Sequence, residues 1–222
     1  MDSYEENEIF ILVKEGLNEV PPIPKETKYL DVRRNKLQKL CLDNSILVEY
    51  LDASDNLIKT FHETSGIETL KILDLGYNLI SKIPKVVFPD LRELYLMSND
   101  IYKIENIGFE KLEKLDLANN DISVLENIDC PNLREGYFGA NMIGTIKDLT
   151  SLSYLNTLDL QFNKLKEIDC AFLPKNLEVL LLQGNKDLKI IKNLDKLSKL
   201  HILGIKGTKV NLTKKREGLE IW

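Results

Sequence analysis

The chain has 222 residues, 43% hydrophobic and 29% charged, with a formal net charge of −5. That apolar content excludes a disordered tail, which has too little to bury against chain entropy, and the acidic balance argues against a nucleic-acid partner, which calls for a basic surface. No apolar run approaches the roughly 18–20 residues of a membrane helix, so no membrane partner is expected. From the N-terminus, Ile9-Phe10-Ile11-Leu12-Val13 reads as an added edge strand. It is too short for a secretory signal and follows Glu5, Glu6 and Glu8 rather than a basic front. The expected location is intracellular, cytoplasmic or nuclear. Gly16-Leu17-Asn18-Glu19-Val20-Pro21 is a degenerate half-repeat.

A repeat then dominates the chain. Tyr29-Leu30-Asp31-Val32 leads to Asn35, Tyr50-Leu51-Asp52-Ala53 to Asn56, and Ile72-Leu73-Asp74-Leu75 to Asn78. Glu93-Leu94-Tyr95-Leu96 leads to Asn99, Lys114-Leu115-Asp116-Leu117 to Asn120, and Glu135-Gly136-Tyr137-Phe138 to Asn141. Thr157-Leu158-Asp159-Leu160, Val179-Leu180-Leu181-Leu182 and Ile202-Leu203-Gly204-Ile205 lead to Asn163, Asn185 and Thr208. This is the L-x-x-L-x-L-x-x-N-x-L leucine-rich repeat nine times over.

The expected fold class is α/β, a curved leucine-rich-repeat solenoid with a parallel concave sheet. Alternation puts residues such as Leu94 and Leu96 on one strand face, and stacking buries what one repeat cannot bury alone. The asparagine amide satisfies turn groups that would otherwise be buried unpaired; Thr208 can do only part of this. Return segments such as Ser81–Pro89, with Pro84 and Pro89, cannot be interior helices. The convex side is therefore irregular or short-helical, with one short helix expected over Asp148–Tyr154. Residues 1–26 read as an N-terminal cap and half-repeat, 27–210 as the repeats and 211–222 as a C-terminal cap. In that last cap Leu212, Leu219, Ile221 and Trp222 cover the final repeat, beside a basic cluster at Lys214, Lys215 and Arg216.

No enzyme motif is present, and the two histidines, His62 and His201, lie in no catalytic pattern. Cys41, Cys130 and Cys170 form neither a disulfide framework nor a zinc site and read as small apolar fillers. No cofactor and no metal are expected; the aspartates do not supply the six to eight converging oxygens of a calcium site. Function is left to the outward strand positions. The central outward column reads Asp31, Asp52, Asp74, Tyr95, Asp116, Tyr137, Asp159, Leu181 and Gly204. Asp31, Asp52 and Asp74 are expected to form a row of like charge that favours a cationic partner. In the preceding column Lys114 lies between Glu93 and Glu135. Tyr29, Tyr50, Tyr77, Tyr95, Tyr137 and Phe162 are read as facing outward, with Tyr95 and Tyr137 as interface anchors.

The segments Leu70–Asn78, Leu91–Leu96, Lys103-Ile104-Glu105-Asn106-Ile107 and Leu125-Glu126-Asn127-Ile128-Asp129 resemble the leucine-rich regulatory subunit of protein phosphatase 1. The resemblance implies a non-enzymatic regulator that binds the phosphatase catalytic subunit through acidic and aromatic residues of its concave strands. Asp74, Tyr95, Asp116 and Tyr137 stand in register with its early docking residues, whereas Leu181 and Gly204 do not match its late ones. The alternative is an adaptor or structural scaffold for another protein, spliceosomal or cytoskeletal for instance. The free chain is expected to be a monomer.

Overall fold

The computed structural model describes residues 4–43, 46–212 and 216–222. Each repeat contributes one three-residue strand to a single parallel sheet of 11 strands. Its repeat strands are Tyr29–Asp31, Tyr50–Asp52, Ile72–Asp74, Glu93–Tyr95, Lys114–Asp116, Glu135–Tyr137, Thr157–Asp159, Val179–Leu181 and Ile202–Gly204. Neighbouring repeats pair without slippage, so equivalent positions sit side by side, Leu94 against Leu115 and Tyr95 against Asp116.

The middle residue of each strand faces inward. Leu30, Leu51, Leu73, Leu94, Leu115, Leu158, Leu180 and Leu203 are all fully buried. Gly136 occupies this row in the sixth repeat because the ring of buried Phe138 fills the space: a Cβ on Gly136 would lie 2.8 Å from Phe138 Cε2. The volume lost at one inward position is supplied by the next, as close packing requires.

The asparagines stitch the repeats together. Asn120 Nδ2 donates to the Leu117 carbonyl of its own turn at 3.1 Å and to Leu96 of the preceding repeat at 3.0 Å. Its Oδ1 accepts from Ile101 N–H at 2.9 Å. The same cross-repeat pattern runs from Asn35, which reaches Leu12 O and Leu17 N, to Asn185, which reaches Leu160 O and Leu165 N. Thr208 bonds only Ile205 O and Val210 N within its own turn.

Helix is limited, among the described residues, to four three-residue 3-10 turns. The helix expected over Asp148–Tyr154 is a turn instead. Asp148 Oδ1 accepts from both the amide and the hydroxyl of Thr150, and Leu149 N–H bonds Phe172 O in the next repeat. The side chain closes a local turn and the backbone is spent on the neighbour, so no intrahelical ladder starts. The convex side also carries two small parallel pairs that the repeat pattern did not announce, Val124–Leu125 with Thr145–Ile146 and Glu167–Asp169 with Ile190–Lys192.

Strands Ile9–Ile11 and Glu220–Ile221 add to the two ends of the sheet. At the C-terminal end Ile205 N–H and Lys206 N–H both donate to Trp222 O, and the Arg216 guanidinium donates to Leu197 O and Leu200 O. The indole of Trp222 is 58% exposed. Its main chain seals the last strand; the ring does not cover the leucines. Lys214 and Lys215 lie outside the described residues. Cys130 and Cys170 are buried, with burial pushing the thiols up to about 11 and about 12. Cys41 is exposed, so it is not a core filler.

Candidate docking face

The outward column begins with a mechanical fact about its aspartates. In every repeat that has one, Oδ1 accepts the backbone N–H two residues on. Asp74 bonds Gly76 at 2.8 Å, Asp116 bonds Ala118 at 2.9 Å and Asp159 bonds Gln161 at 2.8 Å. Asp31 and Asp52 do the same with Arg33 and Ser54. Each carboxylate therefore holds the chain as it leaves the strand, an Asx-type turn; the second oxygen is left to a partner at Asp74 and Asp116, whereas that of Asp159 accepts from Gln161 Nε2 at 3.1 Å and those of Asp31 and Asp52 face Arg33.

The centre of the face is built on strands Ile72–Asp74 to Thr157–Asp159. Asp74, Tyr95, Asp116, Tyr137 and Asp159 are consecutive neighbours across the ladder. Tyr95 donates its hydroxyl to Glu93 Oε2, and Tyr137 donates to Glu135 Oε2 at 2.9 Å. Lys114 lies between the two rings, 5.6 Å from the Tyr95 centroid and 5.3 Å from that of Tyr137, and pairs with Glu135 at 3.4 Å. The expected neutralisation of Lys114 is thus made with Glu135 alone, while Glu93 is occupied by Tyr95. Cation–π contact on both sides props the two anchors upright and apart. Burial pushes the Asp74 carboxyl up to about 6, reinforced by Asp52 and Asp116. Burial also raises Asp116, and together with Glu135 it takes the Tyr137 hydroxyl up to about 12.

The N-terminal end carries the same residue types in another state. Tyr29 and Tyr50 stack face to face, 4.4 Å between centroids and 4° between planes, with Tyr4 tilted against Tyr29. Asp31 and Asp52 are 2% and 4% exposed. Arg33 bridges them, Nε 3.3 Å from Asp31 and the guanidinium 3.6 Å from Asp52. This corrects the expected row of like charge: Arg33, two residues after Asp31, already supplies the cation. Asp52 is consequently a buried structural acid, and Tyr29 and Tyr50 are half-buried by their own stack.

Tyr77 and Phe162 stand elsewhere, on the turn just beyond the strands, and are 56% and 63% exposed. At the C-terminal end the outward positions are Leu181 and Gly204, the latter covered by the Gln183 side chain. The ten expected site residues thus divide into a central stripe of Asp74, Tyr95, Asp116, Tyr137 and Asp159, a closed N-terminal group of Tyr29, Tyr50 and Asp52, and two rim aromatics. Lys114 and Arg33 are the residues the column reading undervalued; their places in the repeat were visible, but which neighbour each would choose was not. No cluster of three metal-ligating side chains occurs among the described residues.

By its fold this chain is a leucine-rich-repeat solenoid. The Leucine Rich Repeat family profile matches residues 111–133. Human epiphycan is 29% identical over 209 residues, covering 89% of this chain and 53% of that protein. Rat lumican is 29% identical over 171 residues, covering 75% of this chain and 46% of its own length. The chain thus spans about half the length of the curated relatives it matches. YopM, a leucine-rich effector protein from Yersinia pestis, superposes with a TM-score of 0.73 at 25% identity, covering 90% of this chain and 55% of that one. A leucine-rich-repeat protein of Leptospira interrogans superposes with a TM-score of 0.68 at 23% identity, covering 89% and 55%. None of these is a phosphatase regulator by name, so that narrower resemblance rests on the sequence segments that suggested it.

Proposed function

We propose that this chain is a non-enzymatic protein-binding scaffold whose concave face docks the catalytic subunit of protein phosphatase 1 as a regulatory subunit. One observation carries the reading: the acid–aromatic alternation Asp74, Tyr95, Asp116, Tyr137 lies on consecutive strands in strict register. Its tyrosines are tied at the hydroxyl and spaced by Lys114, so their rings are ordered before a partner arrives and less entropy is lost on binding. Cover of catalytic-subunit surface would alter assembly or substrate choice rather than chemistry. Three free thiols fit a reducing, intracellular setting.

The test is a titration of the phosphatase catalytic subunit against wild type, Tyr95→Ala/Tyr137→Ala and Asp74→Asn/Asp116→Asn. Asparagine keeps the Oδ1 turn bond that alanine would delete. Anchors of this kind cost at least about 2 kcal/mol each. The tyrosine pair is expected to speed dissociation, and the aspartate pair to slow association and flatten its salt dependence. No binding by wild type at micromolar concentration ends the phosphatase reading and leaves a scaffold for a different protein.

A further inference from the structure

The residue just before each ladder asparagine turns the chain in the left-handed region. Tyr77, Ser98, Asn119, Ala140 and Phe162 have φ between 52° and 55°. The conformation is imposed by the stack, since the amides of these residues donate to Met97, Ala118, Gly139, Gln161 and Gln183 of the following repeat. Left-handed backbone suits glycine and asparagine and is strained for a bulky side chain. The same row holds Asn119 and Gly207, so the fold itself asks for no ring here; Gly184, the next residue in the row, lies against the Phe162 ring, whose Cδ1 would overlap a Cβ at that position. Tyr77 and Phe162 are nonetheless large, strained and more than half exposed. An exposed aromatic alone means little; one that also costs backbone strain points to a use.

Their placement indicates the use. Tyr77 follows Asp74 and Phe162 follows Asp159, the first and last acids of the central stripe. Four ladder steps separate them, about 19 Å at roughly 4.8 Å per strand. Between them the row drops to Ser98, Asn119 and Ala140. The residues after the intervening asparagines include Asp100 and Asp121, both exposed. We infer that Tyr77 and Phe162 are the posts of a saddle on this rim, over which a cationic, apolar-flanked segment of the partner crosses onto the concave face. The inference rests on the concave face being a protein-docking surface, but not on which protein docks.

The experiment uses a fluorescent amphipathic lysine–leucine peptide as probe, at low and physiological ionic strength. Wild type is expected to bind it, and Tyr77→Asn/Phe162→Asn to bind about tenfold more weakly. Ala140→Tyr, which stands a third ring in the saddle, should lose as much, with Ser98→Tyr as the second variant should Ala140→Tyr not fold. Melting separates posts from supports: each asparagine variant relieves strain and should melt about 2 °C higher. Three outcomes overturn the inference: no binding of the peptide by wild type, undiminished binding by the saddle-filling variants, or a lowered melting temperature in both asparagine variants. Failure of the phosphatase titration with these results intact removes only the named partner.

Discussion

The N-terminal end and the centre of the outward face use the same vocabulary and reach different states. Around Asp31 and Asp52 the acids are buried beneath Arg33 and the tyrosines stack on one another. Around Asp74 and Asp116 the acids alternate with tyrosines that Lys114 holds apart. Like placed beside like closes the surface, because two rings find each other and two carboxylates recruit a cation. Alternation keeps it open, because no ring has a ring for a neighbour. An aspartate at this position is therefore first a turn residue and only secondarily a recognition residue.

The largest effect is expected where both regions share a device. Asn120→Leu strands the Ile101 amide and takes one of two donors from the Leu96 and Leu117 carbonyls, which keep Asn99 and Asn141, at roughly 1–3 kcal/mol. Asn119 is no neutral control for a leucine, since its backbone is left-handed; Asn119→Gly is, and should shift denaturation by only a few tenths of that. Equal shifts for Asn120→Leu and Asn119→Gly would break the ladder register.

Next comes the contrast of the two cations. Arg33→Ala leaves Asp31 and Asp52 without their bridge in a nearly dry site, an uncompensated charge pair. With Arg33 itself half exposed the loss is about 2 kcal/mol at pH 7, and it should shrink in acid as Asp31, its carboxyl raised by burial, takes up a proton. Lys114→Ala should cost less than about 1 kcal/mol yet weaken docking by releasing both rings. Urea melts of the two variants, beside the phosphatase titration, check the pair. If the order of their stabilities reverses, the closed-versus-open distinction fails.

A small, pH-dependent effect belongs to Asp74. Its value, raised to about 6 by burial, lies above that of an unfolded aspartate at about 3.9. The folded chain therefore holds the proton more tightly. This contribution is complete below about pH 4 and is lost as pH rises through about 6. Asp74→Asn should thus gain on wild type by about 1 kcal/mol across that window, discounted for partial exposure, while keeping the Gly76 bond. Parallel stability curves from pH 4 to pH 8 would remove the shift and leave Asp74 as an ordinary exposed acid.

Repetition made the architecture legible. A phased asparagine every 21 or 22 residues leaves one economical way to bury leucine pairs and turn amides together, so strands, register and inward rows follow from spacing alone. The Asp148–Tyr154 turn and the convex strand pairs were not legible, because there the backbone bonds a neighbouring repeat whose offer a single segment does not reveal. The outward column is likewise readable as a list but not as a surface. Tyr29 and Tyr95 occupy different columns, and their outcomes depend on Tyr50 in one case and Lys114 in the other, both a repeat away. The sequence by itself determined the solenoid, its repeat length and the residues that could face a partner. Only the tertiary structure decided which of them are spent on each other, since that choice is made between side chains about 5 Å apart in space and a full repeat apart in the chain.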